Sequence, residues 1–156
     1  MLARLGPAPT AQGTDVVARA VGVVTLAALA MIHVIDLPAT LGPTPLIGIG
    51  YLGIIAGAVI VGGMMISRSH WLVWAATGTL AVSAMGGYIL TRALSGGFLG
   101  DHADVGNWRC PLGLGALSVE TMLILLAIWQ VRIRTRSVPP QSRPATRRTP
   151  EFSHSR

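Results

Sequence analysis

Lysine is missing from the sequence altogether, and all twelve basic residues are arginine. With so much Ala, Gly and Val, this points to GC-rich coding and says nothing about activity. Cysteine occurs once, at Cys110, so no intramolecular disulfide is possible and a membrane redox enzyme built on a cysteine pair is excluded. Charge is scarce. It marks 12% of the 156 residues, against roughly 25% in a soluble domain. What fills the chain instead is apolar: 51% hydrophobic residues and a mean hydropathy of +0.60. The length suits one domain. The net charge of +6 is local. From Arg132 onward seven Arg face one Glu, a balance of +6, while the rest holds five Arg against five acids. The basic character is therefore a tail and not a basic fold.

A helix needs roughly 20 mostly apolar residues to cross the hydrocarbon core of a bilayer. Four stretches qualify, at about residues 16–35, 46–66, 71–91 and 111–131. The first is interrupted only by Arg19, in a first turn from which a long side chain snorkels to the interface. The second and third carry no charge, and the fourth carries only Glu120. The runs lack the alternation of barrel strands, so each must satisfy its backbone as a helix. The expected fold is an all-α membrane protein, a four-helix transmembrane bundle over residues 16–132. A short segment, 1–15, precedes it, and a disordered basic tail, 133–156, follows it.

Trp71 and Trp74 open the third span, Trp108 precedes the fourth and Trp129 closes it, at depths where amphipathic rings prefer to sit. With both termini in the cytoplasm, ten arginines (Arg4, Arg19, Arg68 and the seven of the tail) lie inside and only Arg92 and Arg109 outside, as the positive-inside rule requires. The expected location is a bacterial plasma membrane. Ala28-Leu29-Ala30 is an A-x-A cleavage pattern. The apolar run continues past it to Ile35, so the first span is expected to stay with the chain. The connection at residues 36–45 is short and rich in Pro and Gly. The turn at 67–70 is tight, so spans two and three are expected to form an antiparallel hairpin. The second outer connection, 92–110, has four glycines and is expected to be flexible or sharply turned. The arginine tail reads as a topology anchor, or as a contact for anionic lipid. Nucleic-acid binding is not expected, because no aromatic platform or folded basic face accompanies it.

Few polar residues interrupt this frame. Glu120 is the tenth of 21 residues in its span, near mid-membrane at a rise of about 1.5 Å per residue. A carboxylate there must face the bundle interior, be paired, or be protonated. It reads either as a proton or cation site or as a packing hydrogen bond between helices. Ser83 lies at a similar depth on span three, with Tyr88 closer to the outer face. His33 and Asp36 share a helix face at the outer end of span one. With Asp101, His102 and Asp104 they offer two imidazoles and three carboxylates for a divalent metal, although the spacing matches no closed zinc pattern. The bland reading of these five is helix capping and solvation. Haem is not favoured: His33 and His70 fall at opposite faces, and His33 with His102 has no supporting pattern. The string Gly48-Ile49-Gly50-Tyr51-Leu52-Gly53 matches G-x-G-x-x-G, but it lies inside a charge-free span with no strand before it and no acid about twenty positions on. Gly53 and Gly57, with Ala58 and Gly62 beside them, fit a small-residue helix contact within the bundle or between copies. Cys110 reads as a lone interfacial thiol or a link between two copies. Pro111 suits the first turn of a helix. No nucleophile, base and orienter form a catalytic pattern.

Residues 33–38, Gly50-Tyr51-Leu52-Gly53, residues 87–92, Trp108, Pro111-Leu112-Gly113 and Leu117-Ser118-Val119-Glu120 form a string of landmarks. The string resembles a largely uncharacterised family of small four-span membrane proteins from high-GC Gram-positive bacteria. The resemblance covers residues 16–132 as a shared span pattern. It departs where members often carry a Gly-Leu-Pro-Gly turn, which here reads Ser95-Gly96-Gly97-Phe98. It implies that Tyr88, Arg92, Trp108 and Glu120 belong to one outward-facing arrangement, and it implies no activity.

The expected outer vestibule is thus His33, Asp36, Tyr88, Arg92, Trp108 and, deeper, Glu120. Three functions compete. The first, favoured by small size, glycine-lined spans and the absence of a catalytic pattern, is a non-enzymatic accessory or interaction component with a membrane-protein partner, and the other two are alternatives to it. The second is a small carrier, functioning as a homodimer and using Glu120. The third is a metal- or cofactor-binding redox protein.

Overall fold

A computed structural model describes residues 11–67 and 70–136. The leading segment before Ala11, Arg68 and Ser69 of the tight turn, and the tail from Ser137 lie outside the described residues. Among the described residues there are four helices and no strand: α1 (Ala11–Leu41), α2 (Pro45–Ser67), α3 (Trp71–Ala93) and α4 (Pro111–Arg136). All four are long and apolar enough to cross a membrane.

Burial in the bundle supports a bilayer as its solvent. Large aliphatic side chains point outward along every helix, among them Val24 (69% exposed), Val59 (67%), Val82 (55%) and Leu125 (63%). In water such a girdle would far exceed the few hundred Å² of contiguous apolar surface that a soluble monomer tolerates. The interior takes polar groups instead: Thr25, His33, Thr77, Thr91, Arg92, Glu120 and Gln130 are all buried. Several Ser and Thr hydroxyls bond within their own helix. Thr25, Thr77, Ser83 and Ser118 each donate to the carbonyl four residues back, at 2.7–2.9 Å.

The main packing pairs are α1 with α2 and α3 with α4, and the two hairpins then close side by side through α1–α4 and α2–α3. The hairpin expected of α2 and α3 is present in sequence order, but it is a minor contact compared with these two. The start of α1, the end of α4 and the α2–α3 turn share one end of the bundle, called here the terminal end. Arg134 pairs with Asp15 there, and Arg19 donates to the carbonyls of Met65 (2.7 Å) and Ile66, the last turn of α2. A cation on the final carbonyls of a helix favours its dipole. His70 caps α3 at the same end, its Nδ1 accepting from the Leu72 N–H at 3.2 Å.

The interior of the terminal half is packed, and an open groove runs along its surface between α3 and α4 beside Trp74. Leu26, Leu29, Met65, Trp74 and Leu123 are buried to 1% exposure or less. Trp74, which with Trp71 opens α3, turns its ring into the bundle and belongs to the core. It lies one turn into α3 on the side facing Gly22, whose missing side chain makes room for Met65 and Trp74. Trp71, Trp108 and Trp129 do face outward.

One boundary differs most from the sequence reading. The first connection was expected at residues 36–45, a stretch rich in Pro and Gly. Instead α1 runs through Pro38 to Leu41, leaving only residues 42–44 as connection. Thr40 and Thr44 hydroxyls take up carbonyls of this last stretch, and Tyr51 of α2 holds Asp36. The second connection is compact. Asp101 N–H bonds the Phe98 carbonyl at 3.0 Å across a tight turn whose central residues, Leu99 and Gly100, have φ of 52° and 91°. Positive φ at both positions is the requirement of a type I′ turn, and leucine there is strained.

Candidate functional site

The loop end of the bundle, opposite Trp74, is hollow. A cavity of about 290 Å³ lies between the two hairpins. His33 and Asp36 of α1 and Tyr51 of α2 line one wall, Tyr88 and Arg92 of α3 the other, and Glu120 of α4 its deep end. The remaining lining is largely aliphatic. One turn below Glu120, Leu123 is fully buried in the core, so the carboxyl stands where packing ends and space begins.

On the first wall the Tyr51 hydroxyl donates to Asp36 Oδ2 at 3.0 Å. His33 sits edge-on to the Tyr51 ring, with centroids 4.9 Å apart. Its Nδ1 lies 2.9 Å from the Leu29 carbonyl, which can only accept, so Nδ1 carries the proton of that bond.

The second wall is built around Arg92, which is buried to 7%. Its guanidinium lies 3.8 Å from the centroid of the Tyr88 ring. It pairs with Asp104 at 3.1 Å and donates to the Thr91 hydroxyl at 2.6 Å and to the Asn107 carbonyl at 3.3 Å. The planar fork of arginine suits this combination of stacking and several donors. The Arg92 carbonyl in turn accepts the Gly106 N–H at 3.0 Å. One residue thereby fastens the connection 94–110 to the end of α3. Tyr88 donates to the Trp108 carbonyl at 3.3 Å, and the Trp108 ring meets it edge-on.

Glu120 differs from all of these. It is 1% exposed, and its Oε2 is buried without a hydrogen-bond partner.

Compared with protein-family models, curated proteins and solved structures, the chain matches none. The site rests on its own geometry.

Of the vestibule residues expected from sequence, His33, Asp36, Tyr88, Arg92 and Glu120 all line this one cavity. Trp108 stands behind the wall as a brace for Tyr88. Ser83 also lines the cavity, but its hydroxyl is spent on the Thr79 carbonyl at 2.9 Å. The five metal candidates are not brought together: among the described residues no three His, Cys, Asp or Glu side chains form a group able to hold a metal ion. Asp36 is engaged by Tyr51 and Asp104 by Arg92, while Asp101 accepts the Asp104 N–H at 3.2 Å. His102 is exposed in the loop, packed over Gly97. His33 and His70 occupy opposite ends of the bundle.

Of the small residues on α2, Ala58 is in the core and Gly57 meets Leu80 of α3, whereas Gly53 and Gly62 face open space where a side chain would project. The closest approaches of glycine to a neighbouring helix include Gly22 on Met65 and Gly113 on Tyr88. Lining residues that were not singled out as site residues from sequence include Tyr51 and Cys110. Tyr51 carries a hydroxyl that must find a partner in an otherwise aliphatic span, and that need was its signal. Cys110 lies on the rim, and nothing in its spacing marked it as cavity-lining.

Proposed function

We propose that this chain is a multi-pass protein of a bacterial plasma membrane, with both termini cytoplasmic, acting as a small carrier whose cavity opens toward the outer face. The observation that carries this reading is Glu120, a buried carboxyl with a partnerless oxygen at the deep end of a cavity. An ionisable group held inside a membrane bundle at such cost is by default a functional group. The packed interior of the terminal half supplies the barrier a carrier needs, and transport requires Trp74 and Met65 to yield in an alternate conformation. Arg92, clasping the loop to α3, is positioned to hold the outer mouth shut. The likeness to the small four-span family of high-GC Gram-positive bacteria fits this location and size. The arginine tail fits contact with anionic lipid on the cytoplasmic side.

The test is counterflow in proteoliposomes, comparing the native chain with Glu120→Gln. Carrier function predicts exchange that the variant loses; equal exchange in both removes Glu120 from the mechanism. A second reading, an accessory subunit, is favoured by Gly53, which is exposed on α2 and leaves room for another helix. Native mass measurement after gentle extraction separates the two. A stoichiometric different partner supports the accessory role, and a homodimer with bound ligand supports the carrier.

A further inference from the structure

Building on the carrier reading, we infer that the cavity binds a primary amine, with its ammonium group at Glu120 and its hydrocarbon body against the aliphatic lining. The argument is an inventory of donors and acceptors. The Tyr51 hydroxyl is spent on Asp36, the Tyr88 hydroxyl on the Trp108 carbonyl, and the Thr91 hydroxyl on the Tyr88 carbonyl. Arg92 is spent on Asp104, Asn107 and Thr91. His33 has committed Nδ1 to Leu29, which leaves Nε2 of the neutral ring as an acceptor. The strong donors of the wall are thus used, while Glu120 keeps an unspent acceptor.

Charge agrees. The lining carries two carboxyl groups, Glu120 and Asp36, and one guanidinium, which Asp104 compensates. A ligand that fits must bring N–H donors and a positive charge. A bare metal ion would need several converging ligands, and none gather here. A quaternary ammonium brings charge but nothing to donate. The aliphatic remainder, including Ile47, Ile54, Leu112 and Ala116, suits a hydrocarbon body. The volume of about 290 Å³ sits at the small end of the roughly 300–1,000 Å³ range of ligand sites, which limits that body to a short chain or a single ring. The tyrosine rings add attraction for a cation, as the seat of Arg92 on Tyr88 demonstrates.

Cys110, the single cysteine, lines this cavity and serves as the reporter. The full chain in maltoside detergent is treated with a small methanethiosulfonate reagent in the presence of 4-phenylbutylamine, its trimethylammonium analogue, its alcohol or its carboxylate. The amine is expected to slow Cys110 modification and raise the unfolding temperature, and the other three to do neither at equal concentration. Glu120→Gln should weaken protection by about tenfold or more, the effect of losing one charge-assisted hydrogen bond. Glu120→Asp, which keeps the charge, should retain part of it, and helix content by circular dichroism checks that both variants fold. Protection by the alcohol, the carboxylate or the trimethylammonium compound equal to that by the amine overturns the proposal. So does protection by none of the four, or unchanged protection in folded Glu120→Gln. Amine protection without counterflow keeps the ligand class and removes the carrier; counterflow of other solutes without amine protection does the reverse.

Discussion

Glu120 and Arg92 are both buried ionisable groups, and they stand in opposite energetic positions. Each guanidinium nitrogen of Arg92 has a partner, and Glu120 has an oxygen with none. A buried acceptor without a partner costs about 1–3 kcal/mol. Glu120→Leu is therefore expected to raise stability by that order while abolishing ligand binding, a separation typical of functional groups held at a cost to stability. Unfolding from maltoside by added dodecyl sulfate measures it, and a less stable variant would reveal a partner for the carboxyl. Arg92→Lys should move stability the other way. A lysine cannot stack flat on Tyr88 and reach Asp104, Asn107 and Thr91 together. The expected loss is about 1–3 kcal/mol, on the scale of a charged hydrogen bond removed from a buried site. The same titration reads it, and a loss near zero would mean that the fork is dispensable.

At the scale of elements, glycine decides which helices touch. A Cβ at Gly22 would lie 2.6 Å from Met65 Sδ and 3.2 Å from Trp74, both of them buried side chains of the core. Gly22→Ala is expected to cost about 1–3 kcal/mol as overpacking. Gly53→Ala meets nothing within 4 Å and should leave the monomer unchanged or slightly stabilised by helix propensity. If Gly53→Ala instead splits a dimer, as native mass would register, its open face is a contact between copies. The four spans were legible in the sequence because length and hydropathy alone determine them. Their pairing was not, since apolar faces in lipid give no direction to pack, and the small residues of α2 drew attention away from Gly22. The end of α1 was placed early because the apolar run stops at Ile35, and the bonds of Asp36 to Tyr51 and of the Thr40 hydroxyl that hold the last turns do not show in hydropathy. His33, Asp36, Tyr88, Arg92 and Glu120 were legible because a polar residue in a span has few places to go. The metal grouping failed because residue type does not report that Tyr51 and Arg92 reach those carboxylates first. The A-x-A pattern at residues 28–30 lies inside continuous helix, with Leu26 and Leu29 in the core. An intact mass retaining α1 is expected, because cleavage there would remove both leucines.

For the whole molecule, the decisive property is the side toward which the cavity opens. The bundle is asymmetric along its axis: Trp74, Met65 and Leu123 pack the interior of one end, beside an open groove between α3 and α4, and the cavity with Glu120 lies at the other. Four spans place the start of α1 and the end of α4 on the same side, as the Arg134–Asp15 pair illustrates. Under the proposed orientation, which follows the arginine distribution, that side is cytoplasmic and the cavity and Cys110 face outward. A membrane-impermeant maleimide added to intact cells should then label Cys110, and the adduct should appear to the same extent without permeabilisation as with it. Because Cys110 is only partly accessible, Ser95→Cys on a Cys110→Ser background provides an exposed site in the same connection. Both thiols should report the same side. Labelling only after permeabilisation would invert the molecule, put the two-arginine side in the cytoplasm and make the cavity a cytoplasmic binding site. Labelling of Ser95→Cys from outside with Cys110 silent until a ligand-free, loosened state is reached would instead show Arg92 holding the mouth shut over a cavity that still faces out.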